Sequence, residues 1–141
     1  MDDHTRATWT YLLQYKSDAL GALKIFHKMM VVQFDSCIKM IRLDITQEFE
    51  SKPCKLFFAE HGLLHQTSCV GRHQKNGRVE RKHRHLLEVS RTLRFQASLP
   101  LKYWVDCVLS TSHIINRLPT LMLVIKTPYE LLLTIHLLMI I

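Results

Sequence analysis

Glycine and proline are scarce in this chain, four of each in 141 residues, and the glycines (Gly21, Gly62, Gly71, Gly77) never cluster. A phosphate-cradling loop needs closely spaced glycines so that backbone N–H groups can converge on an anion, so loops of that kind are excluded. No Gly-x-Ser-x-Gly turn or activated-cysteine pattern marks a nucleophile. The four cysteines, Cys37, Cys54, Cys69 and Cys107, form no C-x-x-C pair, and no secretory leader is visible. Thiols in a reduced, intracellular setting are expected, not a disulfide framework. No zinc is expected either: His83 and His85 would point to different sides of a helix, a helix stop separates His61 from His65, and no cysteine pair is nearby. Long apolar runs are also missing. The most apolar stretch, residues 131–141, is interrupted by His136 and falls well short of the roughly 20 residues that cross a bilayer. It reads as a core strand or a sticky tail, and no membrane partner is expected.

Acids are the other shortage. Twelve Asp and Glu face 19 Lys and Arg, a formal charge of +7 that favours a polyanionic partner. With 48% hydrophobic residues the chain is long enough for one domain with a real core. Residues 8–13, rich in β-branched and aromatic side chains, read as a strand. Ser17 and Asp18 suit a helix start, and Leu20, Leu23, Phe26, His27 and Met30 recur at helical spacing. Residues 37–43 alternate as a half-buried strand does, and they deliver Asp44 to its C-terminal end, where sites gather in α/β sheets. Ser51 suits the cap of a helix over 52–61 that Gly62 closes, with a short strand candidate at 63–67.

Then the composition changes. Residues 72–94 hold eight Lys or Arg against Glu80 and Glu88. A long helix starting near Asn76 would put Val79, Leu86 and Leu93 on one stripe, with Val89 beside them, and Glu80, Arg84, Leu87 and Arg91 on another face. Pro100 opens a further helix over 101–117, ended by Pro119, and Thr127-Pro128-Tyr129-Glu130 has the form of a capping box with Pro at the first helical position. Strands and helices alternate early and helices dominate late, an α/β pattern with C-terminal helices.

Two carboxylates stand out: Asp44 at a strand end and Glu80 on the basic helix, with 35 residues between them. Taken alone, each has a plainer reading, Asp44 as a turn residue and Glu80 as the i, i+4 partner of Arg84. Paired carboxylates also hold divalent metals for phosphoryl transfer. The stretches Asp2-Asp3-His4-Thr5-Arg6 with Trp9-Thr10-Tyr11, residues 41–49, Phe58-Ala59-Glu60-His61-Gly62 through Asn76-Gly77-Arg78-Val79-Glu80-Arg81-Lys82, and Tyr103-Trp104 through Asn116-Arg117-Leu118-Pro119 to Lys126-Thr127-Pro128-Tyr129-Glu130 carry more than that pairing. Together they resemble the integrase catalytic core of plant copia-type retrotransposons over residues 2 to about 132.

The resemblance implies an RNase H-like fold and a D,D,E site that binds two Mg²⁺ or Mn²⁺ and joins DNA ends to target DNA. Asp44 matches the second acid and Glu80 the third; the first acid is absent, its strand lying upstream of Asp2 in the family. The chain departs from the pattern at Ile45-Thr46, where a turn-permissive pair is usual, at His73-Gln74-Lys75, and in the apolar residues 121–125. A truncated, degenerate copy is the expectation: an incomplete mixed sheet lacking the first strand, with residues 1–98 as a partial core and 99–141 as a helical extension of the same domain. Metal binding by Asp44 and Glu80 would be impaired and activity lost. DNA contacts fall to Lys75, Asn76, Arg78, Arg81, Lys82, Arg84, Arg91 and Arg94. Homo-oligomers and a nuclear location follow only by family analogy. Two alternatives stand beside this: a non-catalytic basic nucleic-acid-binding module, and an unstable relic with no selected role.

Overall fold

The structure, a computed structural model, describes residues 1–43, 47–67 and 77–137, and of Gln47, Glu48, Thr67 and 135–137 the backbone only. It is a mixed α/β chain dominated by helix: α1 Ala19–Phe34, β1 Met40–Leu43, α2 Gln47–Glu50, α3 Lys52–Glu60, β2 Leu64–Thr67, α4 Gly77–Gln96, α5 Trp104–Arg117 and α6 Pro128–Leu137. Two compact units form. One is Leu13–Gly77; the other joins Met1–Leu12 to the described part of Arg78–Ile141.

In the Leu13–Gly77 unit, Asp18 starts α1, and Asp35 ends it in the left-handed conformation (φ 41°), its N–H donating to the Met30 carbonyl. Asp here takes a position that glycine usually fills. β1 and β2 pair in parallel, Met40 opposite Leu64 through Leu43 opposite Thr67. Parallel neighbours need a crossover, which α2 and α3 supply. Gly62 makes that return possible: at φ 61° it closes α3, and the next residue, Leu63, donates its N–H to the Phe58 carbonyl. The core joins Cys54, Phe57 and Phe58 of α3 to Leu63, with Leu20 and Leu23 of α1 and Ile41 and Leu43 of β1 packed against them. Burial raises the pKa of the enclosed Cys54 thiol.

In the other unit α4 crosses α5 at a pair of hydroxyls. Ser90 and Thr111 are both fully buried, and their oxygens lie 3.0 Å apart. Thr111 donates to the Cys107 carbonyl and Ser90 has the Leu86 carbonyl in reach, so neither hydroxyl is stranded. Around this contact Leu86, Val108 and Ile115 form the core, flanked by Leu87 and Trp104. α4 ends through left-handed Ser98, and α6 begins at the expected capping box: Thr127 Oγ1 accepts the Glu130 N–H at 3.0 Å, and Glu130 Oε2 accepts the Thr127 N–H at 2.8 Å. The bond from the Thr127 N–H, and secondarily one from the Thr127 side chain, hold the Glu130 carboxyl below its usual pKa.

Several expectations are corrected. Residues 8–13 form no strand. The backbone of Thr8 finds side-chain partners on α5 instead of a neighbouring strand. The strand expected over 37–43 shrinks to Met40–Leu43, and the described sheet is two-stranded and purely parallel where a mixed sheet was expected. The apolar tail is helical through Leu137, not a strand, because the capping box nucleates α6 ahead of it. Val79 sits on the expected stripe of α4 yet is 54% exposed, since it lies in the first turn, beyond the reach of the Leu86 core.

One prediction comes from an aromatic cluster in the Leu13–Gly77 unit. His27 of α1 meets Phe57 and His61 edge-on, with centroids 5.6 and 4.6 Å away, and Lys24 lies over the Phe57 ring. Burial, and secondarily the His61 charge, lower the His27 pKa. The unfolded chain takes up this proton near its ordinary value of about 6.5, before the folded chain does. The stability tied to neutral His27 is therefore complete above that pH and lost as pH falls below it. The urea midpoint should drop between about pH 7 and pH 5, and less so in His27→Phe; parallel pH curves for the two proteins would clear His27 of the effect.

Candidate nucleic-acid interface

Twenty residues of α4 carry most of the relevant charge, and the helix distributes it over separate faces. At about 100° per residue, Arg78, Arg81, Lys82 and His85 share one arc, while Glu80, Arg84 and Arg91 share another roughly 130° away. Leu86 and Ser90, both buried, occupy the arc facing α5. Glu80, Arg84 and Arg91 are exposed to solvent, a surface that can meet a polyanion without rearrangement. Arg94, in the last turn, lays its guanidinium over the ring of Phe95, 4.5 Å from the centroid, so its charge is steered by stacking.

The other arc borders a cleft of about 470 Å³ in the same unit. Ile115 and Pro128, both buried, line its floor, and Leu118, Pro119 and Met122 stand exposed at its rim. Arg6 enters from the N-terminal segment. Lys82 is half-buried there, and burial lowers its pKa. Composition pointed to basic residues on α4; it held no signal for Arg6 or His85 as part of the same cleft.

The N-terminal segment is built as a small knot. Asp2 accepts hydrogen bonds from the Thr5 N–H and hydroxyl, both at 2.6 Å, and its N–H donates to the Ala7 carbonyl. Burial would raise the Asp2 pKa, but the bonds from Thr5 and His4 outweigh it and the value falls. Arg6 accepts a left-handed φ of 62° to close the turn. Asp3 lies 3.5 Å from Arg6 and 4.0 Å from Arg78. Both aspartates near the motif start are thus engaged in holding this segment.

Asn116 then secures the residues that follow. Its Oδ1 accepts the Thr8 N–H at 2.9 Å and its Nδ2 donates to the Thr8 carbonyl at 2.7 Å, as a neighbouring strand would. Ser112 reaches the same carbonyl and the Thr10 hydroxyl. Sequence reading placed Asn116 in a motif without finding this role; the i, i+4 spacing of two polar side chains, Ser112 and Asn116, on one helix face was the available signal.

Of the expected site residues, Glu80 stands on the first turn of α4, whereas Asp44, Lys75 and Asn76 lie outside the described residues. Arg78, Arg81 and Lys82 come together at the cleft; Arg84 and Arg91 share the face of Glu80. Among the described residues no group of three His, Cys, Asp or Glu side chains is placed to hold a metal. The described helices include none long and apolar enough to cross a membrane.

Comparison with known proteins follows the same outline. No family model matches the chain. It is 35% identical over 130 residues, 92% of its length, to the retrovirus-related Pol polyproteins from transposons RE1 and RE2 of Arabidopsis thaliana. To the retrovirus-related Pol polyprotein from transposon TNT 1-94 of Nicotiana tabacum it is 29% identical over 128 residues. The chain spans only 9–10% of the length of these relatives. A chain in the cryo-EM structure of the simian T-cell lymphotropic virus intasome in complex with PP2A regulatory subunit B56 gamma has a similar fold, with a TM-score of 0.67 at 18% identity. That match covers 87% of this chain and 42% of the other.

The Asn116 clamp generates a stability prediction. Asn116→Ala leaves the Thr8 N–H without its partner, while the carbonyl keeps the Ser112 hydroxyl, and should cost about 1–3 kcal/mol, the penalty of an unpaired polar group. Urea unfolding of wild type and variant measures it, and amide exchange at Thr8 should speed up; unchanged exchange at Thr8 would show the clamp to be dispensable.

Proposed function

This chain belongs with the retrovirus-related Pol polyproteins of plant transposons, matching a short stretch of them, and from that premise we propose that it is an integrase-related segment that binds DNA through α4. The observation that carries the reading is the basic helix itself: Arg84 and Arg91 exposed beside Glu80, on a face turned away from the core. Support also comes from the parallel strand pair whose first strand ends at Leu43, immediately before Asp44, an arrangement in keeping with an RNase H-like core of the copia type. Phosphates are the natural partners of such a face, because guanidinium groups meet them with paired hydrogen bonds and release condensed counterions. Oligomers and a nuclear setting belong to this proposal by the same relationship.

On this reading Asp44 and Glu80 would hold Mg²⁺ or Mn²⁺, since carboxylate oxygens suit hard divalent ions. Such ions would clamp the attacking and leaving oxygens of an in-line displacement on DNA. Two carboxylates match the ion in kind and fall short of a two-metal site in number, and Asp2 and Asp3 are committed to Thr5, Arg6 and Arg78. We therefore propose binding without catalysis for this chain by itself.

Binding is tested by fluorescence anisotropy on duplex DNA between roughly 50 and 200 mM salt, where the log–log slope should be about −0.9 for each phosphate contacted. Arg84→Ala with Arg91→Ala should make the slope shallower by about 2 and weaken binding uniformly across sequences. A flat salt response would reject the reading. The catalytic half has its own assay: the purified chain should not nick DNA in Mn²⁺, and nicking that disappears in Asp44→Asn and in Glu80→Gln would show it to be an active enzyme.

A further inference from the structure

We propose that the cleft bordered by Arg78, Arg81, Lys82 and His85 is a single-nucleotide site, taking a phosphate on its cations and one unstacked base against its apolar wall. The proposal rests on the nucleic-acid reading of α4 and assigns a different face of that helix. Three features of the cleft define the ligand.

Charge comes first. Arg6, Arg78, Arg81 and Lys82 converge on the cleft with His85, and among the described residues Asp3 is the acid in contact with them, between Arg6 and Arg78. The surplus is positive. Lys82 is half-buried, and among the described residues no carboxylate pairs with it. A desolvated ammonium gains most from an anion brought into contact, because the water it has lost is replaced by a fixed negative charge.

The second feature is what lies opposite the charge. A site for inorganic anions alone would be polar throughout, whereas here Ile115 and Pro128 form a buried apolar floor, with Leu118 and Met122 exposed beside it. Exposed apolar surface around a cationic pocket suits a ligand with a flat, weakly hydrated body attached to an anion, and guanidinium planes also stack on bases. Size is the third. About 470 Å³ lies in the range of small-ligand clefts and far below what a double helix occupies, so a duplex could touch the rim and only an unpaired nucleotide could fill the cleft. The nucleotide could be free or part of a single strand; the chemistry recognised is the same.

Calorimetric titration of the full chain with inorganic phosphate, dAMP and a short single-stranded thymidylate oligomer tests the idea. Binding of dAMP should exceed that of phosphate by about tenfold or more. Lys82→Met combined with Arg81→Ala should weaken dAMP about tenfold or more, and Met122→Asp, at a position 77% exposed and so harmless to folding, should erase the preference for dAMP over phosphate. A tighter oligomer than dAMP, lost in the same variants, assigns the site to an unpaired residue in a strand; the reverse order assigns it to a free nucleotide. Equal affinity for phosphate and dAMP, or dAMP binding untouched by both variants, overturns the proposal. Arg84→Ala with Arg91→Ala should leave dAMP binding unchanged. A failure of duplex binding therefore reads out separately from a failure of the cleft.

Discussion

Two hydroxyl groups set the geometry on which the basic unit depends. Ser90 and Thr111 are small enough for α4 and α5 to meet at hydroxyl contact, and each hydroxyl has a carbonyl of its own helix within reach. That approach closes Leu86 over Val108 and Ile115. It also fixes the rotation of α4: with Ser90 pointing at α5, the helical period forces Arg78, Arg81, Lys82 and His85 to one flank and Glu80, Arg84 and Arg91 to the other. A leucine at position 90 would demand more space than the contact allows and would turn or displace the helix. The functional surfaces are therefore consequences of core packing, not independent decorations of a charged helix.

The helices were legible in the sequence because their ends are written in local chemistry. Thr127 and Glu130 satisfy each other's backbone groups whatever else the chain does, and Gly62 supplies a conformation that few residues accept. Residues 8–13 show the opposite case. Their β-branched and aromatic content favours an extended backbone, but a strand is defined by its neighbour. The neighbour here is a helix whose Asn116 and Ser112 side chains take the hydrogen bonds. Local pattern cannot reveal a partner more than a hundred residues away. The apolar tail was misread for a related reason: its leucines and isoleucines suit strand and helix alike, and the capping box ahead of them decided between the two.

The candidate site divides along the same line. The basic character of α4 and the position of Glu80 on it could be read from spacing, as could the exposure of Arg84 and Arg91. That Arg78, Arg81 and Lys82, on the other arc, border a cleft could not, because it depends on which elements pack beside α4. Arg6 reaches the cleft only through the knot at Asp2 and Thr5, where a positive φ and a buried threonine hydroxyl bend the chain back. A charged residue's role was set there by a neighbour's hydrogen bond.

The loop that carries the cleft rim is also the place where backbone and side chain disagree most. Val124 and Ile125 sit at φ 54° and 63°, a region that β-branched residues resist at a cost of roughly 1–2 kcal/mol each. The turn persists because Thr120 binds it at both ends: its N–H donates to the Lys126 carbonyl, and its own carbonyl accepts from Leu123 and Ile125. The side chains gain nothing in return, being 84% and 70% exposed. Residues with freer backbones, glycine or asparagine, would relieve the strain without losing a contact in the fold. A sequence maintained for stability alone would be expected to hold such residues here. Their absence fits a chain whose apolar loop is either useful as a surface next to the cationic cleft or no longer under that constraint, and Met122, two residues earlier, separates the two by whether it contributes to binding.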